Sequence, residues 1–286
     1  MHAHTQTHTH THTHTCTHTH QAVAADTLCF PQLESIPSKA FLPGGPGEIR
    51  QDHRLVGNSP AIRQQLLGNA ETTGFYDLNV YLNDLLCIAR IINPDFQAHV
   101  ANLLAPMHDR VRIEPGPLKS LMRCRAKVAG EYSCEQWPTS AHLLDLVRVS
   151  ATFDNEEDLR QGLALILRAA NVPVTDFLDC DPSDGQLAAA SNRPLRGAME
   201  GAGGVAWQTP SRFAVARVKN GFGSAGGGYR DLKLNVIYQS QQGFAMICEI
   251  ALCLQAMSEY AESTHELYEI LRERDFFAQV SCALGD

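Results

Sequence analysis

Two acidic residues interrupt apolar strand patterns in distant parts of the chain. Asp145 shares a face with leucine and valine side chains in the predicted strand Leu143–Phe153. Glu249 is the one acid in the predicted strand Phe244–Ala251, which is apolar on both faces and therefore typical of a central strand. Burying a carboxylate in such places costs several kcal/mol unless a partner compensates, so we expect each acid to have a specific role.

A divalent cation between the two predicted strands is one way to stabilise both acids. Mg²⁺ prefers oxygen ligands and usually combines one or two carboxylates with phosphate oxygens and water. The alternative is structural, with each acid near a strand end and paired with an arginine such as Arg148 or Arg230. The residues alone leave both interpretations open for Asp145 and Glu249.

The segment around Glu249 contains further groups that suit nucleotide binding. A glycine-rich loop, residues 221–228, precedes an alternating segment, and the two strands on either side of residues 239–243 predict a hairpin. The loop matches neither phosphate-binding nor dinucleotide-binding fingerprints. Tyr229 follows the loop and could stack on a base, although packing is the alternative. From Cys253 the period becomes helical, and His265 lies on that predicted helix, where the pattern favours a structural histidine over a catalytic one.

Basic residues share one face of a second predicted helix, Pro117–Tyr132. Lys119, Arg123 and Lys127 recur at helical spacing there. Such a row is either a solvated surface or a phosphate-binding face.

The remaining patterns predict an α+β protein with a mixed central sheet. Helical spacing over Tyr76–Arg90, and again from Phe96 after a break at Asn93-Pro94, predicts a helical prelude. Downstream of Asp145 we predict a helix at Glu156–Ala170, capped by Asn155, and two strands, at Val172–Leu178 and Arg212–Lys219.

Composition bounds the domain organisation and the partners. Eight of the 13 histidines alternate with threonine in the first 21 residues, and a Pro/Gly-rich stretch follows, so residues 1–47 are predicted to be a disordered leader and linker. Residues 48–114 form the helical extension and 115–286 the main domain. The net charge of -8 argues against DNA binding, and no apolar run is long enough to cross a membrane. Scattered cysteines favour a cytoplasmic location, while organellar targeting stays open.

Five motifs in order resemble the synthetase domain of RelA/SpoT-type alarmone synthetases, over about residues 115–272. They are KSLMRCRAK from Lys119, DLVR from Asp145, VKNGFGSAGGGYR from Val218, CEI from Cys248 and HELY from His265. The resemblance implies a nucleotidyltransferase-like fold. It also implies transfer of the pyrophosphate of ATP to the ribose 3'-hydroxyl of a guanine nucleotide, with Mg²⁺ as the cofactor.

The same resemblance implies roles for individual residues. Asp145 and Glu249 match the catalytic acids that hold magnesium, and Glu249 also supports the attacking hydroxyl. Four basic residues match positions that bind ATP, namely Arg123, Arg125, Lys127 and Lys219. Three residues match positions that bind the acceptor, namely Tyr229, Arg230 and His265.

The chain departs from this family mainly on the acceptor side. Ala251 stands where the family has glutamine after its Glu-Ile pair, and Arg230-Asp231 follows Gly-Tyr in place of the usual residues. Glu269 replaces a lysine. These changes leave the identity of the acceptor open, and they raise the alternative of a nucleotide-binding module without catalysis.

Overall fold

The computed structural model describes residues 29–41, 49–51, 74–178, 213–223 and 228–264. Its centre is a six-stranded sheet in the order β1-β4-β5-β6-β3-β2. The strands are β1 (Lys39–Ala40), β2 (Val111–Pro115), β3 (Arg148–Phe153), β4 (Phe213–Asn220), β5 (Leu232–Gln239) and β6 (Ala245–Leu254). Only β3 and β6 pair in parallel, while every other neighbouring pair is antiparallel. The predicted α+β class with a mixed sheet is confirmed.

Helices surround this sheet. They are α1 (Pro31–Glu34), α2 (Leu82–Leu104), α3 (Leu121–Gly130), α4 (Glu156–Ala169) and α5, the helical residues 255–264. A π-helical turn, Asp77–Tyr81, leads directly into α2, and three 3₁₀ turns follow at Ala105–Met107, Thr139–His142 and Val174–Asp176. No helix among the described residues is long and apolar enough to span a membrane.

One face of the sheet is apolar, and the opposite face, called the polar face, combines charged residues with a small apolar cluster. Leu234, Val236, Ile250 and Leu252 alternate onto the apolar face, and all are buried. Helix α2 covers this face, as the contact between the rings of Phe96 and Tyr238 at 5.3 Å shows. Helix α4 packs beside it: a Cβ added at Gly162 would lie 2.5 Å from the ring of Phe153. The main core is therefore on the side of the sheet away from Glu249, and a second, smaller apolar cluster with Ile237 and Ile247 is buried farther along the face of Glu249.

The register of the strands shows which residues share the polar face. Glu249 lies opposite Asn235 on β5 and opposite Arg148 on β3, and Asn235 in turn lies opposite Arg217 on β4. The next row is Lys219, Lys233, Ala251 and Ser150. Because directly opposite residues share a face, these two rows put most of the strand charges on one side of the sheet.

Several predicted elements are present with changed bounds. The hairpin of β5 and β6 is confirmed, and so is the helix after Asn155, whose side chain accepts a hydrogen bond from the backbone N–H of Asp158 at 2.9 Å. Helix α3 is shorter than the predicted Pro117–Tyr132, with Ser120 as its N-cap. The predicted strand at Val172–Leu178 is wrong, because that segment forms a 3₁₀ turn instead.

The predicted break at Asn93-Pro94 is also wrong. Pro94 lies inside the continuous helix α2. Its ring removes one backbone hydrogen bond and costs about 3 kcal/mol. The buried stripe continues on both sides of the proline, through Ile88, Ile92, Phe96 and Val100, so burial of this stripe outweighs the local cost.

Part of the predicted leader is ordered. Leu33 of α1 is fully buried, and Lys39 and Ala40 of β1 pair with Val218 and Arg217 of β4. The prediction of disorder is therefore wrong for residues 29–41, whereas the His/Thr tract lies outside the described residues.

Candidate active site

Asp145 precedes β3 and is not part of it, which corrects the predicted strand Leu143–Phe153. Strand β3 begins at Arg148, and residues 146 and 147 form a bend. In a regular strand Asp145 would share the apolar face with Val149, where no cation could reach it. The bend frees Asp145 from this alternation, so its side chain meets the lysines of the polar side.

Two lysines hold one oxygen of Asp145. Lys119 Nζ donates to Asp145 Oδ2, and Lys127 Nζ lies 3.2 Å from the same oxygen. Burial acts to raise the pKa of Asp145, but the charges of Lys127 and Lys119 outweigh burial and lower it. Asp145 is therefore an ionised carboxylate at neutral pH.

The two lysines reach Asp145 from different elements. Lys127 comes from α3 and packs over the ring of Tyr132 at 5.4 Å. Lys119 comes from the segment before α3, which runs so close to β3 that a Cβ added at Gly116 would lie 2.6 Å from the side chain of Arg148. Only glycine allows this approach.

The pKa values of the two lysines are shifted in opposite directions. Burial lowers the pKa of Lys119, although Asp145 opposes this effect. For Lys127, burial is outweighed by Asp145, Tyr132 and Glu131, which raise its pKa. Both ammonium groups are paired with the one carboxylate of Asp145.

The second oxygen of Asp145 has no hydrogen-bond partner in the part of the chain that the structure describes. Asp145 Oδ1 is buried and accepts no hydrogen bond from a described residue. The Asp145 side chain is 15% exposed, so solvent compensates it only in part. A buried acceptor without a partner costs about 1–3 kcal/mol, and such an oxygen is suited to a ligand that brings positive charge.

Glu249 lies next to this cluster on the polar face. Its backbone N–H donates to Val147 O at 2.9 Å, which ties β6 to the bend after Asp145. Burial raises the pKa of Glu249, Lys233 lowers it, and the charge of Asp145 raises it further. The charge of Asp145 therefore acts on the Glu249 carboxyl group.

Lys233 and Asp231 extend the cluster along β5. Lys233 Nζ lies 3.1 Å from Asp231 Oδ2, with the lysine side chain 37% exposed and the aspartate 11% exposed. Burial acts to lower the pKa of Lys233, but Asp231 and Glu249 outweigh it and raise the pKa. Lys233 thus presents a permanent positive charge beside Glu249.

Tyr229 presents its ring while its hydroxyl is held. The residue is 45% exposed. Burial of the hydroxyl, the charge of Asp231 and hydrogen bonds with Asp231 and Cys253 raise its pKa strongly. Cys253 is itself buried, with its Sγ 3.2 Å from Thr152 Oγ1. A neutral ring with a fixed hydroxyl is suited to stacking on a planar ligand.

The other residues predicted to bind ATP are Arg123, Arg125 and Lys219. Arg123 is exposed on the first turn of α3. Arg125 donates from Nη2 to Asn79 Oδ1 at 2.8 Å, toward the π-helical turn. Lys219 is exposed on β4, opposite Lys233 in the register. The structure brings Lys127 onto Asp145 and places these three residues at the margin.

Arg230, a predicted acceptor-binding residue, contacts the N-terminal segment and not the cluster. Arg230 lies over the ring of Phe30 at 5.6 Å, with its Nη1 3.8 Å from Glu34 Oε1 of α1. It therefore contacts the N-terminal segment. His265 lies outside the described residues. The alternative that an arginine holds Asp145 is wrong, because Lys119 and Lys127 hold it, and Arg230 contacts Glu34.

Sequence reasoning missed two contacts of the cluster. Lys119 was placed on a helical face with Arg123 and Lys127, but it lies before α3 and binds Asp145 directly. Lys233 is not among the residues that the sequence predicts for the site. The signal for Lys233 was available, because alternation along both strands of the hairpin puts it on the face of Glu249.

The residues fit a single divalent cation. Asp145 and Glu249 would hold it, since Asp145 Oδ1 lacks a hydrogen-bond partner among the described residues and the charge of Asp145 raises the pKa of Glu249. No group of three or more His, Cys, Asp or Glu side chains in the described segments forms a metal cluster. Magnesium sites that act on phosphates commonly use one or two carboxylates, so two acids suffice.

Comparison with known proteins gives structural matches only. No family model and no curated protein sequence matches the chain. Among solved structures, small alarmone synthetase 1 from Bacillus subtilis bound to its product pppGpp is 12% identical, with a TM-score of 0.45 over 71% of this chain and 89% of that chain. A GTP pyrophosphokinase family protein from Streptococcus pneumoniae is 10% identical, with a TM-score of 0.45 over 72% and 89%.

A third match is small alarmone synthetase 2 from Bacillus subtilis, 13% identical, with a TM-score of 0.44 over 70% of this chain and 89% of that chain. These proteins are of the class that the sequence motifs resemble. A likeness at this level of sequence identity and TM-score carries no argument about activity.

Proposed function

We propose that this protein is a magnesium-dependent pyrophosphokinase that transfers the pyrophosphate of ATP to the 3'-hydroxyl of a guanine nucleotide, as in (p)ppGpp synthesis. One observation carries the proposal. Asp145, just before β3, is paired with Lys119 and Lys127, and Glu249, on the neighbouring strand β6, is under the charge of Lys233. Phosphoryl-type transfer needs this combination of charges and positioning, and it needs no covalent nucleophile.

Mg²⁺ bound by Asp145 and Glu249 would neutralise charge on the phosphates. On the donor side, Lys127 and Lys119 would exchange part of their contact with Asp145 for phosphate oxygens, because an ammonium group has three donors. Arg123, Arg125 and Lys219 are proposed to complete the ATP subsite from the margin. Cations at these positions would stabilise the charge that develops on the transferred group.

On the acceptor side, Tyr229 is proposed to stack on the guanine base. Its hydroxyl is held by Asp231 and Cys253, so the ring is oriented before the nucleotide arrives. Glu249 would orient the attacking hydroxyl. Its raised pKa makes its carboxylate a better proton acceptor than an ordinary glutamate, which suits contact with a hydroxyl that loses a proton. Arg230 and His265 remain proposals for this side.

A product screen with labelled ATP tests the proposal. The wild type is incubated with Mg²⁺ and with GDP, GTP, other nucleotides or RNA, and products are separated by chromatography. We expect AMP together with an acceptor that carries the added pyrophosphate, and loss of both with Glu249→Gln. The matched control is Glu114→Gln, an amide substitution at an exposed position of β2. Absence of any phosphorylated product from the wild type would remove the proposal.

Ala251 favours a second candidate, a nucleotide-binding module without catalysis. It lies between Lys233 and Ser150 on the face of Glu249 and offers no polar group there. This function predicts binding of ATP with Mg²⁺ in calorimetry and no conversion in the product screen. Failure to bind ATP would remove both candidates.

A further inference from the structure

A buried glutamine from the N-terminal extension bridges the two segments that carry the acids. Gln51 is 1% exposed. Its side-chain NH₂ donates to Leu143 O at 2.9 Å and to Ile247 O at 3.0 Å, and its Oε1 accepts from the backbone N–H of Ile247 at 2.9 Å. Its own backbone N–H donates to Ala141 O at 2.7 Å.

The bridge has the same offset from both acids. Leu143 is two residues before Asp145, and Ile247 is two residues before Glu249. Strands β3 and β6 pair directly only from Arg148 and Glu249 onward, because the chain bends before Arg148. Upstream of the bend, the amide of Gln51 therefore replaces the missing strand-to-strand hydrogen bonds.

The segment before Asp145 is held from the other side as well. Asp77 of the π-helical turn is 2% exposed, and its Oδ2 accepts from the backbone N–H of Thr139 at 2.7 Å. Its Oδ1 accepts from the backbone N–H of Ser140 at 3.0 Å. Residues 139–143 are thus hydrogen-bonded to both Asp77 and Gln51 of the N-terminal extension. Of these two residues, Gln51 also binds the strand of Glu249.

We propose that Gln51 is a positioning residue that sets the separation of the Asp145 and Glu249 carboxylates and thereby the affinity of the site for a divalent cation. The inference rests on the metal site of the proposed function. Three hydrogen bonds from one rigid amide fix Leu143 and Ile247 relative to each other. Loss of the amide lets the two segments drift while the rest of the sheet stays paired.

The chain offers a matched control at Asn220. It is another buried amide, 8% exposed, whose Nδ2 donates to Leu33 O and Ile36 O at 2.7 Å each and whose Oδ1 accepts from the backbone N–H of Phe222 at 2.9 Å. Both amides thus make two bonds to carbonyls and one to an N–H. Asn220 joins α1 to the end of β4 and makes no bond to either acid-bearing segment.

The test compares Gln51→Met and Gln51→Glu with Asn220→Leu and Asn220→Asp. Mn²⁺ alone is the probe, and its binding is followed by electron paramagnetic resonance on the full chain. We expect all four variants to lower the unfolding midpoint by similar amounts. Only the Gln51 variants should weaken Mn²⁺ binding, by about 10- to 100-fold, as for other residues that orient metal ligands.

Equal weakening by both pairs, or unchanged Mn²⁺ binding in the Gln51 variants, would overturn the inference. If the wild type itself binds no Mn²⁺, the metal site of the proposed function fails separately. Crystal structures then decide about Gln51. A changed separation between the carboxyl carbons of Asp145 and Glu249 in either Gln51 variant supports the positioning role, and an unchanged separation refutes it.

Discussion

Replacement of Asp145 by asparagine should remove several kcal/mol of stability at neutral pH. The substitution keeps the shape of the side chain and removes its charge. In the wild type, Lys127 lies 3.2 Å from Asp145 Oδ2 and Lys119 contacts the same oxygen. The side chains of Lys119 and Lys127 are 10% and 21% exposed, so Asp145→Asn would leave two poorly solvated ammonium groups beside each other.

The magnitude follows from the distance and the burial. A charge pair at about 3.2 Å attracts by about 5 kcal/mol at an effective dielectric constant of about 20. Desolvation offsets most of this attraction in the intact cluster. Removal of one partner leaves the desolvation cost in place, so we expect a loss of about 3–5 kcal/mol.

The loss should depend on pH. The folded-state pKa of Asp145 is lowered, so its charge stabilises the fold above the unfolded value of about 4. This contribution disappears as the pH falls through the lower folded value. The difference between wild type and Asp145→Asn should therefore be constant from pH 7 to about 5 and shrink below pH about 4.

Equilibrium urea unfolding at several pH values measures the effect. The control is Asp176→Asn, which breaks the pair of Asp176 with Lys39 at 2.6 Å, where the side chains are 39% and 43% exposed. Solvent screens that pair, so its loss should cost about 0–1 kcal/mol. A loss below about 1 kcal/mol for Asp145→Asn at pH 7, or a loss independent of pH down to 3, would refute the reasoning.

Substitutions at three further residues have distinct expected outcomes. Glu249→Gln should raise stability at pH 7, with the gain vanishing below pH about 4, because burial raises the folded-state pKa of Glu249; a loss in urea unfolding would contradict this. Tyr229→Ala should raise the KM for the acceptor roughly 5- to 150-fold while Tyr229→Phe changes it little, and equal effects would exclude stacking. Gly162→Ala gains about 1 kcal/mol of helix propensity. It should still lower the midpoint of thermal unfolding, because its Cβ would lie 2.5 Å from Phe153.

The elements that the sequence predicts well are those whose signals are local. Alternation along β5 and β6 is a property of neighbouring residues, and so is the cap of α4 by Asn155. Both survive in the structure because tertiary packing reinforces them. The motif resemblance also led to the two acids, because it depends on the order of short segments.

The elements that the sequence predicts poorly depend on distant partners. The bend before Arg148 is stabilised from far upstream, because the side chain of Gln51 donates to the backbone carbonyl of Leu143. Pro94 is tolerated because the stripe of α2 is buried against the sheet. The contacts of Lys119 with Asp145 depend on the close approach at Gly116. None of these partners lies within the window in which a pattern can be recognised.

The pairing of β1 with β4 has a practical consequence for shortened versions of the protein. Without residues 29–41, β4 would become an edge strand with unpaired backbone groups, and Phe30 and Glu34 would no longer cover Arg230. Deletion of the His/Thr tract should therefore stop before Cys29. A truncation at residue 47 would bare the strand that carries Lys219 and invite self-association through that edge.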